Sequence, residues 1–212
     1  MGADFHNAPA LPSAARKLGL PDDAFEQERP LKGLITKSEI RAVSLYQLGL
    51  FREAVVWDIG AGTGSVALEA ALVACEGKVF AVERSGAGIA NLRKNVARLS
   101  QGNVEIVEGE APKALELLPP PDCVFIGGSG GRLRAIIEYI AAHLNEDGRI
   151  VVNLAAMERA VEAQSLLVSN GMDAHTVMVN VSRGKPLPDG TTRFEALNPV
   201  FVVTATSPTG RL

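Results

Sequence analysis

The stretch Val55-Val56-Trp57-Asp58-Ile59-Gly60-Ala61-Gly62-Thr63-Gly64-Ser65 constrains this chain more than any other: an apolar strand runs into three glycines at alternate positions and then into a helix. Glycine reaches backbone angles closed to other residues and carries no side chain, so a ligand can lie against bare main chain beside helix-terminal N–H groups. Such a turn belongs to α/β sheets that bind nucleotide-type cofactors beyond the carboxyl ends of their strands. The spacing departs from the dinucleotide fingerprint G-x-G-x-x-G, because the third glycine comes one residue early and Ser65 takes the dinucleotide position. The next strand-like run, Lys78-Val79-Phe80-Ala81-Val82, ends in Glu83. A carboxylate there can accept hydrogen bonds from both hydroxyls of a ribose, and its distance from Gly60 is close to the roughly 20 residues expected.

Asp-x-Gly-x-Gly-x-Gly followed by a strand-terminal Glu resembles motif I and its acidic partner in class I S-adenosylmethionine-dependent methyltransferases. The remainder of the chain has the matching rhythm. Helix patterns around 65–71 and 87–99 alternate with the strands 78–83 and 104–107. Asp122-Cys123-Val124-Phe125-Ile126 is almost wholly apolar, as expected of a strand covered on both faces in a parallel sheet. Gly127-Gly128-Ser129-Gly130-Gly131, a helix, the strand 149–153 and a helix over 158–169 follow. The last two strands, 176–181 and 199–204, have only a polar loop between them, which favours an antiparallel pair at one edge. The expected fold is a doubly wound, mostly parallel α/β sheet with an antiparallel edge strand. Residues 1–30, rich in Ala and Pro, read as a tail or linker, and residues 31–212 as one domain.

Composition narrows the function classes. A net charge of −3 provides no global basic field for nucleic acid. No apolar run reaches membrane-span length and no secretory leader pattern opens the chain, so the expectation is a soluble cytoplasmic protein without a membrane partner. Cys75 and Cys123 are isolated, which favours two buried reduced thiols over a disulfide, and no metal site is expected.

Blocks beyond the glycine turn point to one family. Thr36-Lys37 with Glu39-Ile40-Arg41, Gly109-Glu110-Ala111-Pro112, Phe125-Ile126-Gly127-Gly128-Ser129-Gly130-Gly131, Gly148 to Asn153 and Asn198-Pro199-Val200-Phe201 together resemble the decarboxylating precorrin methyltransferases of cobalamin biosynthesis. These are the C15-methylating enzymes, or the C-terminal half of the fused precorrin-6Y C5,C15-methyltransferase. The resemblance spans about 31–204, and Ile-Gly-Gly-Ser-Gly-Gly is its discriminating block. It implies S-adenosylmethionine-dependent methylation of a precorrin, or cobalt-precorrin, at C15 with loss of the C12 acetate carboxylate. It also implies a homotetramer, and the first thirty or so residues suit a segment joining a fused C5-methyltransferase partner.

The cofactor residues expected on this reading are Gly60, Gly62 and Gly64 with the backbone of Ala61 and Thr63 near the methionine portion, Glu83 at the ribose, and Ala111 at the adenine, with Glu110 beside it. Thr36 contacts the cofactor by resemblance; by pattern alone it is a helix N-cap. The tetrapyrrole needs anion receptors, and Gly127, Gly128, Ser129, Gly130 and Gly131 can offer backbone N–H groups in a concavity. Arg183 is the preferred carboxylate clamp, ahead of Arg41, Arg132 and Arg134, because guanidinium binds carboxylate in bidentate fashion. Asn153 closes the fifth strand toward the cleft. His6, His143 and His175 lie away from the carboxyl-terminal loops, so no histidine base is expected and no catalytic side chain is assigned. Two alternatives stay open: a class I methyltransferase of another small molecule or of a protein, and a cofactor-binding module without catalysis. The Asp/Asn-Pro-Pro-aromatic motif of amino-methylating nucleic-acid enzymes does not follow the fourth strand.

Overall fold

The computed structural model describes residues 18–27 and 35–207. Five strands run parallel: β1 (Val55–Ile59), β2 (Lys78–Glu83), β3 (Val104–Glu108), β4 (Cys123–Ile126) and β5 (Arg149–Leu154). β6 (Asp173–Val179) forms the far edge. A hairpin, β7 (Ser182–Pro186) and β8 (Thr192–Ala196), leads to β9 (Val200–Thr206). The main sheet has the order β3-β2-β1-β4-β5-β9-β6.

Period-two alternation assigns each face of this sheet. Trp57 and Ile59 of β1, Val124 and Ile126 of β4, and Ile150 and Val152 of β5 pack against α4 (Leu133–His143) and α5 (Met157–Ser169). Val56, Cys123, Phe125 and Val151 face the other way, onto α1 (Ser38–Leu48) and α2 (Ser65–Val73). α3 (Gly86–Leu99) joins the same side through Leu92. Both faces are covered, which is why the central strands are apolar throughout. β1 and β4 are neighbours although β2 and β3 intervene in sequence, so the chain reverses its winding direction between them and opens a crevice at their carboxyl ends.

The antiparallel pair expected at one edge is β9 with β6: β9 lies one place in, between β5 and β6, and β6 itself runs with the parallel set. Two expectations need correction. The polar segment before β9 is not structureless, since it folds back as the β7–β8 hairpin through a turn at Gly190. Residues 18–27, read as tail or linker, pack on the domain. Leu20 and Phe25 are buried with Ile35, Leu68 and Leu99, and the Asn95 side chain holds both the N–H and the carbonyl of Glu26. Local composition conceals this because the contacts are made by two apolar side chains, main-chain groups and the Asp22 carboxylate, whose partners are distant in sequence. The rest of the tail, His6 included, lies outside the described residues.

Arg41 ties these parts together. It is fully buried, with Nε donating to Glu69 Oε1 at 2.8 Å, Nη1 to the Thr36 carbonyl at 2.7 Å, and Nη2 to the Leu20 carbonyl. Glu69 in turn accepts the N–H groups of Gly19 and Leu20. Asp22 accepts from Arg41 and also from the Ser38 N–H at the start of α1. Thr36 is therefore not the N-cap: Lys37 occupies that position, without a side-chain cap, and Asp22 supplies the acceptor from 16 residues earlier. Arg41→Met would leave the Glu69 carboxylate buried without its cation, a loss of about 3–5 kcal/mol. Urea denaturation should show a lower midpoint with an unchanged slope; an unchanged midpoint would show that the pair is dispensable.

Candidate active site

The site grows from the carboxyl ends of β1, β2 and β4. Beyond β1 the chain turns through Gly60, whose φ of +73° and lack of Cβ are both required. A Cβ there would lie 2.6 Å from the Gly128 carbonyl oxygen. The loop after β1 and the loop after β4 thus touch backbone to backbone. Gly60 and Ala61 donate to the Val82 carbonyl, while Gly127 and Gly128 donate to the Ile59 carbonyl at 2.9 and 3.3 Å.

Glu83 stands at the end of β2 with a carboxylate already oriented by main chain. Oε2 accepts the Gly62 N–H at 2.9 Å, and Oε1 accepts those of Arg84 and Ser85 at 2.9 and 2.7 Å. Its stem packs on Gly88, where a Cβ would come within 2.9 Å. Three of the carboxylate's roughly four lone-pair sites are thus taken, and the one left on Oε2 can accept from a ribose hydroxyl.

Asp58 was passed over as a site residue in the sequence, though it opens the glycine motif. Its Oδ2 accepts the Ala67 N–H in the first turn of α2, while Oδ1 is buried at the cleft without a hydrogen-bond partner. Burial pushes its carboxyl from 3.8 up to about 7, the nearby Glu83 charge adds to the rise, and the Ala67 hydrogen bond opposes it. An orphaned carboxylate oxygen of this kind suits a cationic amino group.

The crevice has a volume of about 1250 Å³. That exceeds the roughly 300–1,000 Å³ of a typical small-molecule pocket and leaves room for a second molecule beside a nucleoside. Thr36, Gly60, Ala61, Gly62, Glu83, Glu110 and Ala111 line it, as do Gly127, Gly128, Ser129, Gly130 and Asn153. Four expected residues do not. Thr63 is buried with its carbonyl taken by Asn95, and Gly64 serves packing, since a Cβ there would strike Leu92 at 2.4 Å. Gly131 is exposed just outside the crevice. Arg183 is engaged elsewhere: Nε and Nη2 grip Glu39 at 2.7 and 2.6 Å, and Nη2 reaches Asp22 at 2.8 Å. That guanidinium holds Glu39 down at about 2. Arg183 therefore pins the hairpin to α1 instead of presenting a free clamp.

The glycine cluster after β4 is also less open than its composition implies, because the Gly127 and Gly128 N–H groups are spent on Ile59. Ser129 and Gly130 line the crevice, and their N–H groups are not spent on the main chain as those of Gly127 and Gly128 are. Arg84 and Arg132 both pair with Glu110, and Arg84 lies over Gly130, where a Cβ would sit 2.7 Å from the guanidinium carbon. Arg134 pairs along its helix with Glu138. Asn153 Nδ2 donates to Ser44 Oγ at 2.8 Å, and Ser44 Oγ donates to the Ile40 carbonyl. Asn153 Oδ1 lies 3.2 Å from Ser44 Oγ and keeps a second lone pair with which to accept. Ala196, Leu197 and Asn198, at the end of the hairpin, complete a wall that sequence reasoning missed; Asn198-Pro199 was its one visible sign. Of the cysteines, Cys123 is buried and its thiol pushed up to about 12 by burial, whereas Cys75 is exposed, contrary to expectation.

A doubly wound sheet of this strand order, with a glycine turn, an orphaned Asp and a strand-terminal Glu at its switch point, defines a class I methyltransferase fold whose methyl donor is S-adenosylmethionine. The family model for the precorrin methyltransferase domain matches residues 23–207, and the chain belongs to that family. It is 40% identical over 172 residues to a cobalt-precorrin-6B C15-methyltransferase (decarboxylating) of Salmonella typhi, covering 80% of this chain and 87% of the relative. The crystal structure of a precorrin-6Y C5,15-methyltransferase from Geobacter metallireducens superposes with a TM-score of 0.85 at 39% identity, over 90% of this chain and 98% of that one. The C-terminal domain of precorrin-6Y C5,15-methyltransferase from Rhodobacter capsulatus gives 0.75 at 29%, over 90% and 98%.

Asp58 makes stability depend on pH in a defined direction. Its folded-state value lies above its unfolded one, so its contribution is fully present below 3.8 and is lost as pH rises toward about 7. In ligand-free protein, Asp58→Asn should flatten the fall of melting temperature across that window; parallel curves for the two proteins would show that Asp58 titrates normally.

Proposed function

We propose that this chain methylates a precorrin or cobalt-precorrin at C15 and removes the C12 acetate carboxylate as carbon dioxide, within cobalamin biosynthesis. The carrying observation is family membership over residues 23–207, which includes both glycine loops that together border one large crevice. The names of the relatives support the same substrate class.

In this reading the Glu83 carboxylate receives a ribose hydroxyl, Asp58 faces the amino end of the donor, and Ala111 backs the adenine. Gly60 to Gly62 and Thr36 border the methionine portion, and Glu110 rims the nucleoside side, held in place by its two arginines. When bound, S-adenosylmethionine supplies an electrophilic sulfonium methyl. The acceptor lies toward Ser129, Gly130 and Asn153, where the protein offers hydrogen bonds but no ready base. His143 and His175 do not line the crevice, and its carboxyl groups are Asp58, Glu83 and Glu110, each already given a role. The electron-rich ring carbon then needs alignment above all, and positioning of reacting groups is itself a large part of a barrier. The new C–C bond forms as the S–C bond breaks with its electron pair on sulfur. The carboxylate departs as carbon dioxide with its bonding pair flowing into the conjugated ring, where it neutralises the positive charge left by methyl transfer, so no net proton is taken up.

A homotetramer in the cytoplasm belongs to the same reading, as does a fused or separate C5-methyltransferase partner. Support for assembly is the apolar surface near the hairpin, with Phe194 73% and Met178 55% exposed. Among the described residues no helix is long and apolar enough to cross a membrane.

Purified protein supplied with methyl-labelled donor and cobalt-precorrin-6B should yield a product that has gained the label and lost carbon dioxide. Donor binding without either change would contradict the assignment. Glu83→Gln should weaken S-adenosylhomocysteine binding by roughly 1.5–3 kcal/mol, the value of a charge-assisted hydrogen bond. Calorimetry returning the wild-type affinity would remove Glu83 from the ribose site.

A further inference from the structure

We infer that Lys37 anchors the substrate by pairing its ammonium with a peripheral carboxylate of the tetrapyrrole, an inference that rests on the tetrapyrrole reading of the crevice. Lys37 lines the crevice and is half-buried. It occupies the N-cap of α1 with extended backbone angles and makes no side-chain cap. Local structure does not account for it. Lysine cannot accept from the orphan N–H groups of a helix start, and the helix dipole disfavours a cation there. The Ser38 N–H has to be capped by Asp22 instead.

The carboxylates around Lys37 are committed elsewhere. Asp22 is taken by Ser38, Arg41 and Arg183, Glu39 by Arg183, and Glu69 by Arg41 with two backbone N–H groups. Across the crevice, Arg84 is neutralised by Glu110. Among the described residues lining the crevice, Lys37 is therefore the cation without an ion pair. An ammonium drawn partly out of water is stabilised by an anion in hydrogen-bonding reach, and the proposed substrate carries several acetate and propionate groups. The group it holds is one that is retained. A cation on the departing carboxylate would stabilise the ground state and slow its loss. Lys37 is thus a positioning residue that sets the ring's orientation over the glycine loops.

The experiment compares wild type, Lys37→Met and Lys37→Arg in two measurements. The first is binding of cobyrinic acid, a corrin with free acetate and propionate side chains, to protein saturated with S-adenosylhomocysteine. The second is KM against kcat for cobalt-precorrin-6B. Lys37→Met should weaken cobyrinic acid binding and raise KM by about ten- to a hundredfold. S-adenosylhomocysteine affinity should stay near wild type, kcat should fall as the ring loses its orientation, and Lys37→Arg should recover most of both losses. Equal cobyrinic acid affinity in wild type and Lys37→Met would overturn the anchor. Weakened S-adenosylhomocysteine binding would overturn it too, by assigning the lysine to the donor's carboxylate. If wild type binds cobyrinic acid through Lys37 but turns nothing over, the anchor stands and the proposed reaction fails. If wild type does not bind the corrin at all, both fail.

Discussion

The backbone contact between Gly60 and Gly128 is the constraint on which the rest of the site depends. With a Cβ at Gly60 placed 2.6 Å from the Gly128 carbonyl, no other residue lets the loop after β1 close on the loop after β4. Their closure, locked by the Gly127 and Gly128 N–H groups on Ile59, brings the two loops to a common edge of the crevice. In the proposed reaction the sulfonium carbon and the accepting ring carbon meet at that edge with little room to wander. The glycines are thus spent on bringing two loops together as much as on admitting a ligand.

A second constraint works from the opposite wall. Arg41, Asp22 and Arg183 join four stretches far apart in sequence: the segment 18–27, the start of α1, α2 through Glu69, and the β7–β8 hairpin. The buried pair with Glu69 orders the segment beneath, while the more exposed Arg183 cluster fastens the hairpin above. These two sets of ion pairs place Thr36 and Lys37 at the crevice on one side and Ala196 to Asn198 on another. They engage Asp22, Glu39 and Glu69, the acids of these same elements.

Much of this was legible because β1, β2 and β4 are covered on both faces and write their burial directly as apolar runs. The place of Glu83 at the crevice was readable for the same reason, since it closes a buried strand. What escaped the sequence was set by long-range partners. Arg183 looked like a free clamp because Asp22 and Glu39 lie more than 140 positions away in the chain. Gly64 looked like a cofactor contact because its obligation to Leu92 on α3 leaves no local trace. Asp58 was visible within its motif, yet its orphaned oxygen follows from the geometry of the α2 start and from no neighbour in sequence. The tail reading failed over 18–27 because its main-chain groups and the Asp22 carboxylate find partners far away in the chain, which composition does not report.

The central claim is that one crevice holds donor and acceptor, with the donor fixed between Glu83 and Asp58 beneath the two glycine loops. A crystal structure of the protein with S-adenosylhomocysteine tests it most directly. The account predicts a ribose hydroxyl in hydrogen-bonding distance of the Glu83 carboxylate, the amino group at Asp58 Oδ1, and the sulfur turned toward Ser129 and Asn153. A nucleoside seated away from Glu83, or a sulfur turned from the Gly127–Gly131 loop, would contradict it.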